Sequence, residues 1–344
     1  MPLAKPWRKQ PTFPILILLA LGGLPWGGSH AQQERDGSFG FDGMRIFRFH
    51  RGVGPMAAGD LDGDGRTDLV VADNVRAEVV LLLQDPEAKG EKRDRSAADA
   101  NDVGDPEGYR RRSLVVSIKV TAIGVHDLDR DGHLDLLLLG APGALEVRWG
   151  GGERPFEESD RYRLREASGA DEAIVFEEGS GGVEAFILAQ KGIWRFHGFR
   201  RERAPQREML PGTAPSPSGL ALIDVDGDGR RDLLTISREK AFPYRLRLRA
   251  EGDDGAFGPE LFLPGERPAA VIPMPGEGAG RLVAANIDRG RFDLLALRRE
   301  ARADPLDLPP PEILPLDARG LADPRLLVAD VDGDGDPDAV VSDT

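Results

Sequence analysis

The chain has 344 residues, no cysteine and a formal net charge of −14. Its length suits one large all-β domain or two smaller ones, and the lack of cysteine excludes a disulfide framework and thiolate metal sites from this sequence. The acidic balance argues against a nucleic acid or an anionic membrane surface as partner.

The N-terminal segment has the pattern of an export signal. Three basic residues precede an apolar core at residues 15–21, and a small-residue cleavage site follows at residues 29–31. The core is too short to be a transmembrane helix. We therefore expect residues 1–31 to be a Sec-type signal peptide and residues 32–43 to be a flexible segment. The mature protein, with a net charge of −17 after loss of those three basic residues, is then expected to be secreted, periplasmic or on the cell surface, without membrane insertion.

Four loops share one acidic pattern, which is the strongest signal in the chain. Each has Asp at positions 1, 3, 5 and 9 and Gly at position 6, and each leads into an apolar run. Hard oxygen ligands at alternate positions, with a Gly for the sharp turn, suit Ca²⁺, and the carbonyl of position 7 would add a further oxygen. We expect about four structural calcium ions, one in each loop. The predicted ligands are Asp60, Asp62, Asp64 and Asp68 in the first loop, Asp127, Asp129, Asp131 and Asp135 in the second, Asp224, Asp226, Asp228 and Asp232 in the third, and Asp330, Asp332, Asp334 and Asp338 in the fourth.

An EF-hand begins in the same way, but it needs a bidentate Glu at position 12 and a following helix. Position 12 is Val71, Leu138, Thr235 and Val341 in the four loops, and β-type apolar runs follow all of them. The pattern therefore predicts loops between strands.

The loops belong to a longer repeat. Units begin near residues 57, 124, 173, 221, 271 and 327, with about four short strands in each, and the first contains a polar insertion at 85–112 that we expect to be disordered. The units at 173–192 and 271–290 carry Gly-rich turns instead of the acidic loop, so no metal is expected there. A period near fifty residues indicates a β-propeller of about six, possibly seven, four-stranded blades over residues 44–344. A β-sandwich is the alternative, but it gives no reason for a loop that repeats at this interval. Only three residues follow Val341, so we expect an incomplete last blade: either it is short, or the chain is a fragment of a longer protein.

At these residues the chain resembles the FG-GAP/VCBS repeat family, whose best-known members are the propellers of integrin alpha subunits. The family repeat combines Phe-Gly, the Asp-x-Asp-x-Asp-Gly-x-x-Asp-Leu loop and Gly-Ala-Pro. Besides the loops, residues 257–258 match the first piece and residues 140–142 match the last. The resemblance covers about residues 38–344 and implies structural calcium held at positions 1, 3, 5, 7 and 9 of each loop. The two units without acids depart from it.

The sequence contains no recognisable catalytic constellation. Neither Gly-x-Ser-x-Gly nor His-Glu-x-x-His occurs, and the five histidines are scattered. We expect a binding or adhesion module for an extracellular protein or glycan rather than an enzyme. The alternative is an accessory or catalytic domain of a calcium-dependent polysaccharide-active enzyme. Trp149 and Trp194 could stack on sugar rings, or they could pack between blades.

Overall fold

The computed structural model describes about two thirds of the chain, and its regular secondary structure there is β-strand. The described residues are 15–18, 45–50, 53–90, 106–141, 143–164, 174–179, 181–201, 203–214, 217–225, 228–237, 239, 242–250, 255–263, 265, 270–273, 281–286, 289–296, 312–315, 324–329 and 338–343. Among them, no helix has the length and apolar character needed to cross a membrane. The chain divides into two compact units, residues 1–120 and 121–344.

The first unit contains a two-stranded and a four-stranded antiparallel sheet. The strands of the small sheet are β1 (Ile15–Leu18) and β2 (Arg45–Arg48), and those of the large one, the first sheet, are β3 (Val53–Gly59), β4 (Asp68–Asp73), β5 (Glu78–Gln84) and β6 (Tyr109–Val115). The continuous apolar runs of β4 and β5 make them the buried central strands. Their core is closed by aromatic residues, with Phe47 packed edge-on against Tyr109 at 5.0 Å between ring centroids.

The second unit contains four four-stranded sheets and one two-stranded sheet, all antiparallel meanders in chain order. The second sheet comprises β7 (Lys119–His126, whose first two residues belong to the first unit), β8 (Asp135–Ala141), β9 (Ala144–Arg148) and β10 (Ser159–Arg163). The third comprises β11 (Ile174–Gly179), β12 (Gly182–Ala189), β13 (Gly192–His197) and β14 (Gln206–Pro211). The fourth comprises β15 (Pro217–Ile223), β16 (Asp232–Ser237), β17 (Tyr244–Arg247) and β18 (Leu261–Leu263). The fifth comprises β19 (Ala270–Pro273), β20 (Arg281–Asn286), β21 (Arg291–Ala296) and β22 (Glu312–Pro315), and β23 (Pro324–Ala329) pairs with β24 (Asp338–Asp343).

Successive sheets of the second unit pack through their first strands: β11 adjoins β15, β15 adjoins β19, and β19 adjoins β23. One apolar core runs through the second, third and fourth sheets. The approach is close at Gly124, where an added Cβ would lie 2.5 Å from the ring of Phe176 in the third sheet. The fold class is therefore all-β, with repeated four-stranded antiparallel sheets of the kind that form propeller blades.

Three details of the predicted organisation can be compared with the structure, and one of them, the length of the insertion, differs. The described residues form five four-stranded sheets, and the sixth unit contributes only the pair β23–β24. The polar insertion predicted at 85–112 is shorter than expected, because Tyr109 to Arg112 already belong to β6, while residues 91–105 lie outside the described part. In the third sheet, β11 and β12 are joined by a two-residue turn where the first, second and fourth sheets have acidic loops. β1 lies within the predicted signal peptide, and the signal peptide itself stays a prediction.

Candidate metal centres

The aspartate at position 9 ties each described loop to the body of its sheet. Asp68, Asp135 and Asp232 are the first residues of β4, β8 and β16, and all three are almost completely buried. Each accepts two backbone N–H groups. One comes from position 2 of its own loop, and the other comes from a residue at the end of the third strand of the same sheet or within two residues after it. The donors are Leu61 (2.8 Å) and Gln84 (2.7 Å) to Asp68, Leu128 (2.9 Å) and Gly150 (2.7 Å) to Asp135, and Val225 (2.9 Å) and Arg249 (2.7 Å) to Asp232. Position 9 is thus a structural brace, because its carboxylate joins the loop to the end of the third strand.

The aspartate at position 1 organises the turn. Asp60 accepts N–H groups from Gly63, Asp64 and Gly65 at 2.8–3.0 Å. In the second loop Asp127 accepts the N–H groups of positions 5 and 6, and in the third loop Asp224 accepts the N–H of position 6. The backbone at position 6 lies in the left-handed region in all three loops, with φ of +82°, +89° and +83°. Only Gly enters that region without strain, which explains the Gly found there in the sequence. Arg130, at position 4 of the second loop, is a non-Gly residue with φ of +61°, and its side chain donates to the carbonyl of Gly179 in the third sheet.

Positions 1, 3 and 9 converge. Asp60, Asp62 and Asp68 each offer an oxygen, and these atoms lie within 4.8 Å of one another; the same holds for Asp127, Asp129 and Asp135. These two Asp triads could hold metal ions.

The electrostatics of the triads favour a cation. Burial raises the pKa of Asp68, and burial together with the charge of Asp64 raises the pKa of Asp62. Burial raises the pKa of Asp135 to about 7, and the neighbouring Asp129 and Asp131 add to the shift. A bound cation would offset the charge that these neighbours place on one another.

One oxygen of the second triad is available to a ligand. Oδ1 of Asp129 is buried and accepts no hydrogen bond, although a buried carboxylate oxygen normally has a partner. The set of hard oxygen donors, with one buried oxygen that accepts no hydrogen bond, fits a divalent cation that prefers oxygen ligands.

Position 5 is a predicted ligand that the structure holds outside these triads. Both carboxylate oxygens at this position are engaged: one accepts the N–H of position 7 at 2.8–2.9 Å, and the other pairs with a guanidinium. The pairs are Asp64 with Arg66 at 2.5 Å, Asp131 with Arg201 at 2.7 Å, and Asp228 with Arg230. Arg66 and Arg230 stand at position 7 of their own loops, but Arg201 comes from the third sheet.

The remaining predicted ligands lie outside the described residues. They are Asp226 in the third loop and Asp330, Asp332 and Asp334 in the fourth. Asp338 begins β24, but its side chain is not among those described. The third loop therefore repeats the backbone construction of the first two, and its triad is incomplete within the described part of the chain.

The two tryptophans pack in the protein core. Trp149 is buried, and its indole N–H donates to Asp160 at 2.9 Å. Trp194 packs against the core shared by the second, third and fourth sheets, with the guanidinium of Arg207 over its ring at 5.5 Å. Of the two interpretations of these residues, this arrangement favours packing between sheets over stacking on sugars.

Sequence reasoning missed the arginines that join the loop ends of neighbouring sheets. Besides Arg201, the guanidinium of Arg249 reaches from the fourth sheet to Glu177 and Glu184 of the third, at 2.7 Å from the latter. The local signal in the sequence is the abundance of Arg, because Asp131, Glu177 and Glu184 lie 65 to 72 residues away from these arginines.

No protein-family model matches the chain, and no curated protein matches it. Among solved structures, the Tc holotoxin pore of Photorhabdus luminescens aligns with a TM-score of 0.44 and 19% identity over 84% of this chain. This chain spans 13% of the length of that toxin chain. BBS1N, solved in complex with ARL6DN, aligns with a TM-score of 0.38 and 12% identity over 77% of this chain and 81% of its own. Similarities this low carry no functional argument, and the fold assignment rests on the sheet topology described above.

Proposed function

We propose that the chain is a calcium-stabilised β-propeller domain of the FG-GAP/VCBS type, exported from the cell, that serves as a binding or adhesion module. The observation that carries the proposal is the convergence of positions 1, 3 and 9 in two independent loops. Similar hydrogen bonds at Asp224 and Asp232 extend it to the third loop, and the fourth loop has the same pattern of Asp and Gly positions.

Calcium suits these loops better than magnesium. Ca²⁺ takes six to eight oxygens in a flexible shell, which a loop of aspartates and a backbone carbonyl can supply. Mg²⁺ demands a smaller octahedral shell and retains its waters. In this assignment, Asp60, Asp62 and Asp68 hold the ion of the first loop, and Asp127, Asp129 and Asp135 hold that of the second. The bound ion supplies charge neutralisation and fixes the connection between the first two strands of the sheet.

The position of the loops supports the proposed binding role. In the first, second and fourth sheets they join the first strand to the second, and in the second unit arginines link the loop ends of adjacent sheets. Within the second unit, fixing the loops of the second and fourth sheets would produce a rigid surface suited to recognition of an extracellular protein or glycan. The excess of acidic residues argues against nucleic acid as the ligand.

Thermal melting in chelator, in millimolar Ca²⁺ and in millimolar Mg²⁺ tests the calcium part. At a hundredfold excess over Kd, each site adds about 2.7 kcal/mol if the unfolded chain does not bind. We expect Ca²⁺ to raise the melting temperature by many degrees and Mg²⁺ to leave it close to the chelator value. Identical melting in all three would contradict the assignment.

The recognition part needs a separate experiment. The mature protein is applied to glycan and extracellular-protein arrays with Ca²⁺ and with chelator. A ligand retained only with Ca²⁺ supports the proposed module, and the absence of any ligand under both conditions contradicts it.

A further inference from the structure

The second loop differs from the other described loops in the arginine that pairs with its position-5 aspartate: this arginine comes from another sheet. Arg201 lies in the connection between β13 and β14, within the third sheet, yet its side chain reaches the second sheet. Its Nε donates to Oδ2 of Asp129 at 3.2 Å, and its Nη2 donates to Oδ2 of Asp131 at 2.7 Å and to the carbonyl of Gly150 at 2.5 Å. The guanidinium also lies 5.8 Å from the ring centroid of Trp149. One side chain therefore bridges two sheets through two predicted ligands.

Asp129 and Asp131 differ in whether they belong to the triad and in how many of their carboxylate oxygens accept hydrogen bonds. Asp129 is nine-tenths buried and belongs to the triad, and its Oδ1 accepts no hydrogen bond. Asp131 is outside the triad, with Oδ1 taken by the N–H of His133 and Oδ2 taken by Arg201. Asp131 does not belong to the group of oxygens that lie within 4.8 Å of one another, so an ion that takes a fourth carboxylate from this loop must bring Asp131 inward, away from the position in which Arg201 and the N–H of His133 hold it.

We propose that Arg201 is a positioning residue that holds Asp131 out of the second metal site, so that cation binding there releases a contact between the second and third sheets. The proposal rests on the assignment of this loop as a calcium site. In the first and third loops the corresponding arginines, Arg66 and Arg230, belong to the loop itself. At those loops, movement of the position-5 aspartate therefore breaks no arginine contact to another sheet.

The coupling must act in both directions, because a ligand that releases a contact is itself bound more weakly while that contact is intact. Removing the guanidinium also removes a positive charge beside the oxygens that would bind a divalent ion. Both effects have the same sign. Arg201→Gln should bind the cation more tightly at the second loop, by roughly three- to tenfold after solvent screening.

Terbium luminescence isolates this loop. Tb³⁺ is a luminescent substitute for Ca²⁺, and an adjacent indole sensitises its emission. Trp149 contacts Arg201 beside the second loop, and Trp149→Phe should remove the sensitised signal and so assign it. The Kd for Ca²⁺ is then measured by displacement of Tb³⁺ from the protein without residues 1–31, from Arg201→Gln, and from the matched control Arg66→Gln.

We expect the indole-sensitised site to tighten in Arg201→Gln and to be unchanged in Arg66→Gln. An Arg201→Gln site of unchanged or weaker affinity would overturn the proposal while leaving the calcium assignment intact. A wild-type protein that binds neither Tb³⁺ nor Ca²⁺ would overturn both.

A second measurement needs no variant. In hydrogen exchange, calcium should speed exchange of the amides around Arg201 in wild type, because the contact that holds this turn is released, while the second loop itself becomes protected. If calcium leaves that turn unchanged or protects it, the proposal fails, whatever the stability of Arg201→Gln.

Discussion

Replacement of Asp68 by Ala tests the bracing role of position 9 in the first loop. The carboxylate of Asp68 accepts the N–H groups of Leu61 and Gln84, and its substitution leaves both donors without that partner. An unsatisfied buried N–H costs about 1–3 kcal/mol, so two cost about 2–6 kcal/mol. Part of this is recovered, because the raised pKa shows that ionised Asp68 is itself costly to bury. We expect a net loss of about 2–4 kcal/mol in the absence of metal.

The matched control is Asp64→Ala in the same loop. Asp64 is exposed, and its described partners, the N–H and guanidinium of Arg66, are also at the surface. A surface ion pair contributes about 0–1 kcal/mol. Urea unfolding in chelator gives both values, and hydrogen exchange of the Leu61 and Gln84 amides shows whether the loss is local. If Asp68→Ala destabilises the protein no more than Asp64→Ala does, the bracing role is wrong.

Three further predictions concern the ions. Asp62→Ala should weaken calcium binding at the first loop, as measured by calorimetry, and leave the indole-sensitised Tb³⁺ site of the second loop unchanged; loss at both loops would contradict local binding. Calorimetry on the mature chain should give about four calcium ions, and six would show that the units at 173–192 and 271–290 bind metal. The folded pKa of Asp135, about 7, lies above its ordinary 3.8, so its protonation stabilises the metal-free fold fully below pH 3.8, and this contribution is lost as the pH rises through 7. Because calcium needs the ionised carboxylate, affinity at the second loop should fall as the pH is lowered from 8 to 6, and a pH-independent Kd there would contradict this.

Much of the fold could be predicted from local sequence. The alternation of acids, the Gly at position 6 and the apolar run after position 9 together require a sharp turn that leads into a buried strand. The loops at Asp60, Asp127 and Asp224 have that form. The period near fifty is the length of one four-stranded unit with its connections, and the unit repeats because each such sheet needs a neighbour to cover its faces.

Contacts between residues far apart in the sequence could not be predicted. Position 9 was predicted as a ligand, but its role as acceptor depends on donors such as Gln84 and Gly150, which lie 16 and 15 residues further along the chain. Position 5 was predicted to be a ligand like the others. In the second loop, however, its aspartate, Asp131, pairs with Arg201, which lies 70 residues further along the chain. No periodicity in the sequence records such a partner.

The central claim is that the Asp triads bind calcium, and anomalous diffraction from crystals of the mature protein soaked in a lanthanide tests it most directly. We expect one peak among the oxygens of Asp60, Asp62 and Asp68 and another among those of Asp127, Asp129 and Asp135, at roughly 2.3–2.6 Å from the ligands. We expect no peak at the β11–β12 turn, which has no acidic loop. Peaks absent from both triads, or present equally at that turn, would contradict the claim.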